Sequence, residues 1–133
     1  MKAILPLTLG LSALLLTACS SSAYFDGKYE ARSFKDSHGA YAQVSLVLDN
    51  DDIVQVDYVT LMADGKIKDE SYGQGLEKEM YEAAQVAVKA MPIYKQTLIE
   101  TQDIDEVDAI SGATTSNKQF KDAVKKALRK AQR

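Results

Sequence analysis

Apolar and polar residues alternate along three segments in the first half of the chain, which indicates half-buried β-strands. The predicted strands span 24–32, 40–48 and 53–61, and turn-forming stretches separate them at 35–39 and 49–52. Val44, Leu46 and Leu48 are expected to share one face of the second strand, and Val54, Val56 and Tyr58 one face of the third. Such short turns favour an antiparallel meander.

In the second half the apolar spacing changes to three and four residues, which predicts helices. One helix is expected over 74–90, and Pro92 suits the first turn of a second, short helix that ends near residue 100. A last helix follows Ser116, whose side chain is expected to cap it, with Gln119 completing a capping box. The apolar stripes are Leu76, Met80, Ala83, Ala84, Ala87 and Met91, and then Phe120, Val124, Ala127, Leu128 and Ala131. Strands followed by helices predict an α+β fold, a small curved antiparallel sheet with helices packed on one face.

The N-terminus is typical of an exported protein. Lys2 precedes an apolar run over 3–16 that is too short to span a bilayer but fits a secretory signal. The stretch that ends at Cys19, Leu-Thr-Ala-Cys, resembles the bacterial lipobox, whose cysteine receives a diacylglyceryl group. We therefore expect residues 1–18 to be a signal peptide that is removed, and Cys19 to carry a lipid anchor. Residues 19–23 would form a tether and 24–133 a single domain, whereas the alternative is a buried N-terminal helix.

The amino-acid composition limits which metal sites and catalytic residue sets the chain can form. Cys19 is the only cysteine and His38 the only histidine, so no Cys/His metal site or Ser/His/Asp catalytic set is expected, and redox chemistry would need a bound cofactor. His38 is interpreted as a solvated loop residue. The net charge is −3, yet seven basic residues lie in 118–133. We interpret them as a solvated helix face, with anionic lipid or an acidic partner as the alternative, and expect no nucleic acid for an exported protein.

The segment 107–116 is the most informative part of the chain. Gly112 allows a tight turn and a close backbone approach to a ligand. The following helix begins with unpaired N–H groups of partial positive charge, which favour a phosphate. The hydroxyl-bearing residues here are Ser111, Thr114, Thr115 and Ser116. The residues alone indicate either an anion site or a plain helix-capping loop.

The motif Asp-x-x-Ser-Gly-Ala-Thr over 108–114 resembles the flavinylation motif of the FMN-binding domain family. That family includes the covalent-flavin subunits of Na⁺-translocating NADH:quinone reductase and of Rnf-type complexes, and small flavinylated lipoproteins. The resemblance implies that an FMN transferase joins FMN to the Thr114 hydroxyl through a phosphoester bond, and that Asp108 belongs to the transferase's recognition sequence. It also implies the following phosphate-site residues: Ser111, Gly112 and Ala113, with Thr115 and Ser116 beside them. Tyr72 and Tyr81 are candidates for stacking on the isoalloxazine ring.

The expected function is therefore extracytoplasmic electron transfer by a lipid-anchored flavoprotein that receives electrons from a membrane-bound donor. The flavin would supply the redox chemistry and the protein its position. Two alternatives stay open from the sequence. The first is that the domain is the flavin module of a multi-chain reductase, and the second is that it is a binding lipoprotein without redox activity.

Overall fold

The computed structural model describes residues 22–133, so the predicted signal peptide and Cys19 lie outside the described residues. The elements are β1 (Gly27–Arg32), β2 (Tyr41–Asp49), β3 (Asp52–Leu61), α1 (Lys78–Thr101), a 3₁₀ turn (Ile104–Glu106) and α2 (Thr114–Ala131). The sheet is antiparallel with the order β1-β2-β3. Both helices contribute to one core with the buried side of the sheet, which confirms the predicted α+β fold. Within 22–133 we find no helix with the length and apolar character needed to cross a bilayer.

The strands follow the predicted alternation, with one interruption. On β2 every second residue is buried, from Ala42 to Leu48. On β3 a register shift pairs Val47 with Gln55 but Leu48 with Ile53. The extra residue is Val54, which is 54% exposed. The prediction that Val54 shares one face with Val56 was wrong, because the bulge turns Ile53 inward and leaves Val54 exposed while Val56 is buried.

α1 is one helix, although two were predicted. Pro92 lies inside it, where its ring and missing N–H carry a local cost of about 3 kcal/mol. The buried side chains around it are Ala90, Met91, Tyr94 and Leu98. Their packing favours a continuous helix over a break. α1 also begins at Lys78 rather than at residue 74, and Leu76 and Met80 are exposed, so the predicted stripe extended too far toward the N-terminus.

α2 presents the predicted apolar stripe, and Phe120, Val124, Ala127 and Ala131 are all fully buried. Its start differs from the prediction. The helix begins at Thr114, the preceding residue is Ala113, and no side chain caps it. The predicted capping box of Ser116 and Gln119 was therefore wrong, because both residues lie inside the helix and are buried.

Candidate functional site

A cleft of about 490 Å³ lies where the β1–β2 loop, the segment after β3, the first half of α1 and the beginning of α2 meet. Its volume is in the range of small-molecule sites, roughly 300–1,000 Å³. The lining residues are Asp36, Ser37, His38, Lys68, Tyr72, Ala83, Ala84, Ala87, Gly112, Ala113, Thr114, Thr115, Ser116 and Gln119. The structure therefore brings the predicted motif together with three other parts of the chain.

The motif loop forms one wall of the cleft. The Ala113 N–H donates to the Ile110 carbonyl at 2.8 Å, which closes a turn. Gly112 within this turn has φ = +87°, and a Cβ on it would lie 3.1 Å from Cγ1 of Val86 on α1. Glycine is needed here both for the backbone conformation and for the close packing of the loop against α1. Ser111 and Asp108 are exposed on the same loop but do not line the cleft.

The N-terminus of α2 faces the cleft. Thr114, Thr115 and Ser116 occupy its first turn, so their N–H groups have no partner within the helix, and no side chain caps them. These three groups carry the partial positive charge of the helix end. The residues present therefore fit a phosphate group. Thr114 and Thr115 are exposed, whereas Ser116 is only 4% exposed, which leaves two accessible hydroxyl-bearing residues.

Two buried polar side chains hold the motif loop in place. The Tyr94 hydroxyl accepts from the Ile110 N–H at 2.9 Å and donates to the Ala113 carbonyl at 3.1 Å. The side-chain amide of Asn117 donates to the Val107 carbonyl at 3.0 Å. Both are almost fully buried. The loop is thus fixed at both ends, which pre-organises the first turn of α2.

Two buried glutamines hold the other walls. The Gln119 amide on α2 donates to the carbonyls of Ala40 and Phe34 at 2.8 and 3.2 Å, which positions the β1–β2 loop. The Gln85 amide on α1 donates to the carbonyls of Tyr72 and Asp69 at 2.8 and 3.2 Å. This second pair of bonds positions the segment after β3. Gln119 thus has a structural role different from the predicted cap.

Charged and aromatic groups line the outer part of the cleft. The Lys68 ammonium lies 4.3 Å from the centre of the Tyr72 ring, a cation–π contact. Asp36 faces His38 and accepts from its backbone N–H at 2.8 Å and from the Ala40 N–H at 3.0 Å. The Asp36 carboxylate therefore stabilises the β1–β2 loop. Lys68 makes none of the salt bridges found within residues 22–133.

The sequence identified part of this site. His38 is exposed, as predicted, but it lines the cleft together with Asp36, which the sequence analysis missed. The loop residues have no local signal, since only long-range contacts bring them to α2. Of the two tyrosines proposed for stacking, Tyr72 lines the cleft. Tyr81 does not, and its hydroxyl donates to the Glu70 carbonyl at 2.8 Å.

The sequence and the fold are both similar to those of known proteins. The model of the FMN-binding domain family matches residues 38–129, a range that contains the whole motif and most of the cleft lining. The chain is also similar to the crystal structure of the CPE2226 protein from Clostridium perfringens, with 28% sequence identity and a TM-score of 0.65. That similarity covers 81% of this chain and 88% of the other. A comparison with curated proteins gives no match.

Proposed function

Because the chain belongs to the FMN-binding domain family, we propose that it is a membrane-anchored electron-transfer flavoprotein with FMN covalently attached to Thr114. FMN is the cofactor that this family indicates, and when bound it supplies one- and two-electron redox chemistry. The indicated FMN cofactor supports a redox role over the binding lipoprotein without redox activity that the sequence also left open.

The main support for the proposal is the N-terminus of α2, which lies at the cleft and has no side-chain cap. Thr114 is its first residue and is exposed, so its hydroxyl is accessible to a transferase. The N–H groups of the first turn favour the negative charge of a phosphodiester at this position. Thr115 is exposed as well and is the main rival, whereas the burial of Ser116 argues against it as an acceptor.

Asp108 supports the involvement of an FMN transferase. Its side chain is exposed and takes part in none of the hydrogen bonds or salt bridges among residues 22–133. A residue that caps a turn would accept a backbone N–H, as Asp103 does from Asp105 at 2.9 Å. An exposed carboxylate with no such bond is suited to contact with another protein.

The rest of the cleft would bind and orient the flavin. Tyr72 offers an aromatic face, and Ala83, Ala84 and Ala87 form a smooth wall on α1. Lys68 adds a positive charge next to Tyr72, and a charge near the ring is one means by which proteins tune flavin potentials. Covalent attachment has its own physical reason, since FMN that dissociates outside the cytoplasm is lost by dilution.

Anchoring is the second part of the proposal, and the lipobox-like sequence that ends at Cys19 supports it. A lipid anchor would keep the protein near a membrane-bound electron donor. Mass spectrometry of the N-terminal peptide from native membranes tests this part. The expected mature chain begins at Cys19 and carries lipid, and any other start would contradict it.

Covalent flavinylation is tested by co-expression with an FMN transferase, denaturation, and in-gel flavin fluorescence. We expect retained fluorescence in the wild type and in Thr115→Ala, and none in Thr114→Ala. Tandem mass spectrometry should place the mass of one FMN less one water on Thr114. Flavin that washes off in denaturant would mean reversible binding, and fluorescence retained by Thr114→Ala would identify a different acceptor.

A further inference from the structure

The described chain starts at the end of the domain opposite to the cleft. Phe25 donates its N–H to the Ala131 carbonyl at 2.8 Å, and the Arg133 N–H donates to the Ala23 carbonyl at 3.2 Å. Tyr24 forms an isolated antiparallel bridge with Gln132, which is why β1 begins later than predicted. Residues 23–25 are thus paired with the C-terminal end of α2, whereas the cleft lies at its N-terminal end.

Asp51 holds the same segment from a second side. Its two carboxylate oxygens accept from the N–H groups of Ala23 and Tyr24, at 3.0 and 2.9 Å. Asp51 belongs to the β2–β3 turn, which lies at the far end of the sheet from the β1–β2 loop that lines the cleft. The segment that begins at Ala23 is therefore held by both the β2–β3 turn and the C-terminal end of α2.

The lengths involved restrict how an anchored domain can turn. α2 has 18 residues, so its two ends are about 27 Å apart at 1.5 Å per residue. From Cys19 the chain reaches Ala23 in four steps, which span at most about 14 Å when fully extended. An upright orientation with the start of α2 on the bilayer would lift Ala23 by about the length of the helix, beyond the reach of this tether, whereas the opposite upright orientation is within its reach.

We propose that the tether from Cys19 holds the attachment end of the domain at the bilayer surface, so that the cleft lies on average farther from the bilayer than Ala23 does. A redox partner can then reach the cleft from water, as a soluble protein or the projecting domain of a membrane protein. This inference rests on the lipid anchor of the proposed function, but not on the attachment of FMN.

The last turn of α2 carries Arg129 and Lys130 at the attachment end, so anionic lipid would reinforce this orientation, and neutral vesicles separate the effect of tether length from that of charge. Arg133 donates through Nε to the Tyr24 carbonyl at 3.2 Å and lies 4.1 Å from the centre of the Phe25 ring, so it is engaged within the domain. Asp26 and Asp51 add negative charge at the same end and accept backbone N–H groups. The orientation follows from tether length, and it should persist in neutral lipid and at high salt.

The chain contains no tryptophan, so energy transfer from a single introduced tryptophan to a labelled lipid reports the distance of that position from the bilayer. Phe25→Trp places a donor at the attachment end, and Leu76→Trp places one just before α1, four residues after the cleft-lining Tyr72. The two positions are 50% and 51% exposed, which makes them a matched pair. Both variants also carry Thr114→Ala, so that no flavin quenches the donor. The acylated proteins are reconstituted in vesicles that contain a dansyl-labelled lipid, and energy transfer is recorded.

We expect transfer from the tryptophan at position 25 to be several times greater than from that at position 76, in neutral and in anionic vesicles. Inserting twenty Gly/Ser residues between Ser22 and Ala23 adds a flexible span of about 25 Å and should reduce the difference. Equal transfer from the two positions with the native tether would overturn the inference. Mass spectrometry on the same samples distinguishes the causes, since a chain without lipid contradicts the anchor itself, whereas acylated protein with equal transfer contradicts only the orientation.

Discussion

Replacing Tyr94 by Phe tests how the motif loop is held. The substitution keeps the ring, which is 1% exposed and stacks near Phe120 with ring centres 6.2 Å apart. It removes only the hydroxyl that accepts from the Ile110 N–H and donates to the Ala113 carbonyl. The loop before α2 would lose the bond that joins its two ends through α1.

The expected loss of stability follows from what remains unpaired. The Ala113 carbonyl still accepts the Asn117 N–H at 3.0 Å, so it keeps a partner. The part-buried Ile110 N–H loses the bond that Tyr94 provides. An unsatisfied buried donor costs about 1–3 kcal/mol. We therefore expect Tyr94→Phe to lower the free energy of unfolding by about that amount and to reduce flavinylation.

Tyr58→Phe is the matched control. Tyr58 also packs against Phe120, with ring centres 4.7 Å apart, but its buried hydroxyl meets no partner at hydrogen-bonding geometry in the described part of the chain. Burial raises the pKa of Tyr58 to about 12, and a nearby Thr60 hydroxyl opposes this only in part. Removing this hydroxyl deletes an unpaired polar group, so stability should stay the same or rise.

Urea denaturation measures both variants through the midpoint, with the slope checked for constancy. In-gel flavin fluorescence after co-expression with an FMN transferase measures the extent of flavinylation, which depends on how well the motif loop is held. If Tyr94→Phe were as stable and as fully flavinylated as the wild type, its hydroxyl would not hold the loop. If Tyr58→Phe lost as much stability as Tyr94→Phe, the distinction between paired and unpaired hydroxyls would be wrong.

Gly75→Ala should cost about 1–2 kcal/mol, because φ there is +88° and the space is open. Gly112→Ala should cost more, because its Cβ also meets a side chain on α1 at 3.1 Å; equal urea midpoints would refute the packing argument. Asp108→Ala should keep the wild-type circular dichroism and urea midpoint but lose flavin fluorescence, and full fluorescence would reject recognition by the transferase. Burial raises the pKa of Asp122, but hydrogen bonds from Lys126 and a backbone N–H outweigh this, so the folded pKa lies below the usual 3.8. This stabilisation is present above the unfolded pKa and is lost as pH falls through the folded pKa, so Asp122→Asn should show less acid destabilisation between pH 5 and pH 3.

Local patterns in the sequence were sufficient for the three strands, for the apolar stripe of α2 and for the motif, but not for the bounds of the helices. Strand alternation depends on neighbouring residues, so the meander and the buried face of β2 were predictable. The period of α2 and the position of Gly112 and Thr114 just before or at its start follow from the same local rules. The resemblance of the motif to a family then indicated the cofactor, which the family match bears out.

Tertiary contacts decided the rest. α1 continues through Pro92 because the packing of Tyr94 and Leu98 outweighs a local penalty. The β3 bulge exposes Val54 because register depends on the partner strand. Ser116 is buried rather than capping, since α2 starts three residues earlier than its own pattern indicates.

The cleft itself is also a product of long-range contacts. Its walls at Asp36–His38 and at Lys68–Tyr72 are far from the motif in sequence and are held by buried glutamines on the two helices. A buried amide that bonds to a distant carbonyl leaves no periodic trace in the sequence, because its partner is chosen by the packing of whole elements. The sequence alone therefore predicted Thr114 as the attachment point, and only the folded chain shows which residues surround it.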